Sequence, residues 1–126
     1  MALIQTPMPK KAVTIYHNPK CSTSRKVLDA LRAREIEPEI VLYLENPLSA
    51  AKIKALLKLM GGVRPHDILR RKGPVYEELG LGDKTVTDAK LIALMAEHPI
   101  LIERPIVETA NAAVLCRPPE RFEEVL

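Results

Sequence analysis

Tryptophan is absent from this 126-residue chain, and only Tyr16, Tyr43, Tyr76 and Phe122 are aromatic. The core is therefore aliphatic, and the stacking side chains of a single-stranded nucleic-acid platform are missing. The two cysteines, Cys21 and Cys116, stand far apart and cannot staple a fold of this size. No run approaches the roughly 20 apolar residues of a membrane span. Residues 1–11 hold no apolar stretch of signal-peptide length. The setting these absences predict is the reducing cytoplasm, with no membrane partner. Lys and Arg number 19 against 16 Asp and Glu, a net charge of +3, and the two signs are interleaved. That balance suits a small anion better than nucleic acid. His66 and His98 are scattered, and His17 and Cys21 are four apart in a loop, so no metal ligand set is expected.

What is present suffices for one packed domain over residues 1–126, since 47% of the chain is hydrophobic and 28% charged. Pro7 and Pro9 predict a loose leader over residues 1–11. Residues 12–16 form a short β-branched strand, and a turn, His17-Asn18-Pro19-Lys20, follows. A helix from about Ser22 to Arg34 carries Val27, Leu28 and Leu31 at helical spacing, with Ser22, Thr23 or Ser24 as its cap. Residues 39–43 read as a second strand, parallel to the first in a βαβ unit. Ser49 opens a helix with Ile53, Leu56, Leu57 and Met60 on one face, and Gly61-Gly62 stops it.

Residues 64–97 read as short helices: one over His66–Arg71 behind Pro65, one opened by Pro74, and one capped by Thr87 with Leu91, Ile92, Leu94 and Met95 inward. Residues 100–102 read as extended. Strands follow at 106–109 and 112–116, paired as a hairpin, and then an amphipathic segment with Phe122, Val125 and Leu126. The fold class is α/β. The order βαβ, helical block, ββ, terminal helix is that of a thioredoxin-like fold with a helical insertion between the βαβ unit and the C-terminal hairpin.

Cys21 falls where a strand ends, a loop turns and a helix begins. Helix starts present unpaired amides and partial positive charge, which favour a thiolate and seat an oxyanion. His17 and Arg25 supply nearby hydrogen-bonding or positive groups. Position 24 is Ser24, so a local dithiol cannot form, and a second thiol for redox work comes from elsewhere. Cys116, inside a predicted strand, reads as a core residue.

The run Tyr16-His17-Asn18-Pro19-Lys20-Cys21-Ser22-Thr23-Ser24-Arg25-Lys26 resembles the active-site segment of the glutaredoxin-coupled arsenate reductases. The resemblance continues through residues 43–47, Ile68-Leu69-Arg70, residues 76–81, His98 to Val107 and Leu115-Cys116-Arg117-Pro118. It implies that Cys21 is the catalytic nucleophile and that Arg70, Arg104 and Arg117 bind the oxyanion, Arg70 rather than Arg71 because of the preceding Ile68-Leu69. It further implies that His17 hydrogen-bonds or lowers the thiol pKa, and that Ser24 donates to the thiolate. The implied function is reduction of arsenate to arsenite with glutathione as co-substrate, glutaredoxin as partner and no bound cofactor. A proline matching Pro105 faces the cysteine in such folds, so Arg104-Pro105 is expected cis and beside Cys21. The rival readings are a related thiol protein with another glutathione-linked or disulfide substrate, and a non-enzymatic RNA polymerase-binding regulator. Three retained arginines count against the first, and Ser24 in place of a second cysteine counts against the second.

Overall fold

The computed structural model of the chain describes residues 12–82 and 85–126. The segment 1–11, read above as a leader, lies outside the described residues. Four strands, β1 (Thr14–Tyr16), β2 (Glu39–Val41), β3 (Ile106–Glu108) and β4 (Ala113–Leu115), form one sheet in the order β2-β1-β3-β4. β1 pairs with β2 in parallel, Ile15 opposite Ile40. β3 runs antiparallel to both β1 and β4, with Val107 opposite Ile15 and Val114. This is the α/β, thioredoxin-like order that the sequence pattern predicts.

The pleat sends alternate residues to opposite faces. Ile15, Val107, Val114 and Cys116 face one way, against Val27, Leu28 and Leu31 of α1 (Ser22–Ala33) and against Phe122. Tyr16, Ile106 and Ala113 face the other. There they meet Ile53, Leu56 and Leu57 of α2 (Ala50–Leu59), and Leu91, Ile92 and Met95 of α4 (Asp88–Glu97). A short helix α3 (Pro74–Glu78) precedes α4. Ser49 and Thr87 cap α2 and α4 by accepting the N–H of Lys52 and Lys90. Gly61 and Gly62, both at positive φ, close α2. Leu94 and Met60 are only partly buried, at the margins of the same apolar face.

Three local expectations are corrected. The helix expected over His66–Arg71 is a 3-10 turn over Pro65–Ile68. The extended run expected at residues 100–102 begins instead as a 3-10 turn, Pro99–Leu101. One tertiary contact accounts for both: Leu69 and Ile102 form an antiparallel bridge, with Arg70 N–H donating to Leu101 O at 2.7 Å and Glu103 N–H to Ile68 O at 2.8 Å. Long-range pairing here outweighs local helix preference. The third correction is β2, which stops at Val41. The backbone then turns at Leu42, whose carbonyl accepts the N–H of Glu45 and of Asn46. The C-terminal segment is a 3-10 helix, Pro119–Val125, that packs Phe122 beneath α1.

Glu35, just past α1, sits at φ 63°, a left-handed conformation that costs a side-chain-bearing residue roughly 1 kcal/mol. Glu35→Gly is expected to raise unfolding stability by about 0.5–1 kcal/mol, read as a higher urea midpoint at unchanged m-value.

Candidate active site

The loop between β1 and α1 builds the site. β1 is anchored on both sides in the sheet, so its C-terminal end delivers His17 and Asn18 to a fixed place. His17 N–H donates to Val41 O at 2.9 Å, and Cys21 N–H to Asn18 O at 3.0 Å, which closes the turn. Lys20 N–H donates to Asn18 Oδ1 at 3.0 Å, and Arg25 Nη1 to Pro19 O at 2.8 Å. Arg25 is thus spent on loop shape. The cap position of α1 is Cys21 itself, one residue before the serine and threonine candidates, and its thiol makes no capping bond of ordinary geometry.

Burial of the Cys21 thiol opposes ionisation, yet its pKa is lowered overall. The Ser24 amide, the Arg104 guanidinium and the Thr23 amide together outweigh the lost hydration. Arg117 adds a fourth donor, with Nη2 at 3.5 Å from the sulfur. Cys116 is the opposite case: fully buried, its thiol is pushed up to about 12 by burial, so it is a core residue.

His17 and Ser24 are both buried, and Nδ1 lies 2.7 Å from Oγ. Asn18 N–H donates to the same Oγ at 3.1 Å. Burial, then Arg32 and Arg25, push the His17 imidazole below its ordinary pKa. With its pKa held below the ordinary value, His17 is mainly the neutral imidazole at pH 7 and meets Ser24 as a hydrogen-bonding group.

Arg104 is 7% exposed, and its Nε and Nη1 have no hydrogen-bond partner. The Arg104-Pro105 bond is cis, as is Arg117-Pro118. Arg117 Nε donates to Arg104 O at 2.8 Å, which fastens the two arginines to each other. Arg70 Nη1 donates to Glu103 Oε1 at 2.9 Å, and Glu103 Oε2 lies 3.8 Å from Arg117 Nε. Arg71 is exposed and donates to His66 O, so Arg70 is the arginine linked to this cluster. Cys21, Arg104 and Arg117 are in direct proximity, and Arg70 joins them through Glu103.

Sequence reading passed over two residues of the cluster, Glu103 and Tyr43. Tyr43 is fully buried, donates to Ile102 O at 2.7 Å, and stands beside Arg104. The adjacency of Glu103 to Arg104-Pro105 was the available signal for the first. Nothing in the sequence pointed to the second, because its partner is 59 residues away. Among the described residues, no three His, Cys, Asp or Glu side chains cluster as metal ligands, and no helix is long and apolar enough to cross a membrane.

Comparison with known proteins gives consistent relatives. The model described as "ArsC family" matches residues 16–125. An arsenate reductase of Escherichia coli is 46% identical over 114 residues, covering 90% of this chain and 80% of that protein. The uncharacterized protein YfgD of Escherichia coli K12 is 44% identical over 116 residues, covering 92% of this chain and 98% of that protein. The solved structure of an arsenate reductase from Vibrio cholerae superposes with a TM-score of 0.88 at 45% identity, covering 92% of this chain and 98% of that one.

Iodoacetamide should modify Cys21 with a pH midpoint below the ordinary thiol value of about 8.5, since the rate follows the thiolate and the folded pKa is lowered. Cys116 should stay unmodified below its raised folded pKa of about 12 until the protein is unfolded. Peptide mass analysis against pH checks both. A Cys21 midpoint at or above the ordinary value would contradict the activated thiolate.

Proposed function

The chain belongs to the ArsC family, and from that premise we propose that it is an arsenate reductase that works through the Cys21 thiolate. The observation that carries the reading is Arg104. A guanidinium buried with two unpartnered nitrogens, beside a thiol whose ionised form is favoured, is a seat waiting for an anion. Arg117 supplies a second fork at the sulfur, and Arg70 a third within the same cluster. Guanidinium forks bind tetrahedral oxyanions bidentately and keep their charge at any physiological pH.

Arsenate sits against Arg104, Arg117 and Arg70, with arsenic facing Cys21. The thiolate attacks arsenic, a sulfur–arsenic bond forms, and one oxygen leaves as water after taking protons from the medium. The arginines hold the charge that develops on the remaining oxygens. His17 keeps Ser24 in place. With Nδ1–H donating to Oγ alongside the Asn18 N–H, the Ser24 O–H is left to turn toward the thiolate. Glutathione displaces a second oxygen as water, giving an adduct with two sulfurs on arsenic. The glutaredoxin thiol then attacks the glutathione sulfur. The electron pair of that broken sulfur–arsenic bond passes to arsenic, reducing As(V) to As(III), and a glutaredoxin–glutathione disulfide departs. Water cleaves the last sulfur–arsenic bond, releasing arsenite and restoring Cys21. No internal disulfide is needed, which fits the inert, buried Cys116. The reducing cytoplasm supplies the co-substrates.

Arsenite release is the test, with glutathione and glutaredoxin omitted in turn. Each omission should stop turnover. Cys21→Ser should abolish it, and Cys116→Ser should keep most of it. Arg70→Ala, Arg104→Ala and Arg117→Ala should each lower kcat/KM by about 10²–10³-fold, the usual worth of one preorganised donor. The lysine variants should recover only part, for want of the fork. Glutathione-dependent turnover of some other substrate, with none of arsenate, would overturn the reading.

In a separate titration, Ser24→Ala should raise the Cys21 alkylation midpoint with the far-ultraviolet spectrum unchanged. An unmoved midpoint would remove the Ser24 hydroxyl from the thiolate's donors and leave only its amide.

A further inference from the structure

A carboxylate stands among the arginines of the proposed anion seat, and the chemistry of oxyanion binding does not call for one. Glu103 is half-buried and holds Arg70 at 2.9 Å, with Arg117 at 3.8 Å from its other oxygen. The backbone that carries it is held in place. The bridge between Leu69 and Ile102 fixes the backbone on both sides: Arg70 N–H bonds to Leu101 O, and Glu103 N–H to Ile68 O. Arg117 is fixed in turn by its bond to Arg104 O. A carboxylate bound to a guanidinium is the closest internal mimic of a bound oxyanion, since both place charged oxygens on the same N–H fork.

Resting on the arsenate-reductase reading, we propose that Glu103 is a place-holding anion: its carboxylate occupies Arg70 and Arg117 until an oxyanion takes over those guanidinium groups, and so sets how tightly the site binds oxyanions. Glu103 is a positioning residue, acting through the two arginines rather than on arsenic. With Glu103 in place, three guanidinium charges face one thiolate and one carboxylate, leaving a single positive charge for the incoming dianion. An arriving arsenate must also displace the carboxylate from Arg70. Both effects weaken arsenate binding, and both disappear when the carboxylate becomes an amide. The same carboxylate draws on the charge of Arg117, which touches the Cys21 sulfur, so its removal strengthens the field on the thiol.

The alternative role for Glu103 is a scaffold that merely keeps the arginines aimed, and it predicts the opposite sign. The experiment compares the full-length chain with Glu103→Gln and Glu103→Ala. Protection of Cys21 from iodoacetamide by arsenate is measured at constant ionic strength, without glutathione or glutaredoxin. The half-protecting arsenate concentration should fall roughly three- to tenfold in both variants, as for removal of one unit charge near a partly exposed site. The arsenate-free alkylation midpoint of Cys21 should move to lower pH. Higher half-protecting concentrations in variants with native circular dichroism would overturn the proposal and make Glu103 a scaffold. Equal protection of all three chains would defeat this inference alone. An absence of protection in the unmodified chain would defeat the anion seat itself, and this inference with it.

Discussion

Everything in the site depends on keeping one guanidinium, that of Arg104, out of water. A buried cation with unpartnered nitrogens is costly. It persists because the backbone around it is held from several directions. β3 begins at Ile106, two residues on, and is paired on both edges. Ile102, two residues back, is held by Leu69 and by the Tyr43 hydroxyl. Arg117, at the end of β4, bonds to the Arg104 carbonyl. The Cys21 thiol answers that cation, because ionising it places a counter-charge against Arg104.

The thiol and the cation reach each other because the sheet places β1 beside β3. The end of β1 carries the loop that aims Cys21, and the start of β3 carries Arg104-Pro105. Pairing of Tyr16 with Ile106 brings the two ends together. β4 then adds Arg117 from the far edge. The helical insertion has its own part, since the 3-10 turn at Pro65–Ile68 delivers Arg70 to Glu103 through the Leu69–Ile102 bridge. The two sheet faces bury separate apolar clusters, so the active-site edge stands on a core packed from both sides.

The relatives sort along a difference of length. This chain covers 98% of YfgD and 80% of the Escherichia coli arsenate reductase, at nearly equal identity. The residues of the thiol and arginine cluster all fall within residues 16–125, which the family model matches.

The sequence by itself determined the parts that rest on local physics. Alternating apolar residues set the strands, and helical spacing set the inward faces of α1, α2 and α4. A cysteine between a strand and a helix marked the nucleophile, and Ser24 ruled out a local dithiol. The resemblance of several segments marked the three arginines. Sequence did not determine the Leu69–Ile102 bridge, which turned an expected helix and an expected extended run into two 3-10 turns. Nor did it foresee that His17 is mainly neutral, that Tyr43 braces the backbone at Ile102 next to Arg104, or that Glu103 lies between two arginines. Each of these is a contact between residues distant in sequence or a consequence of burial, and neither leaves a periodic trace along the chain. Only the packed structure decides which charges lose their water, and with it which groups ionise.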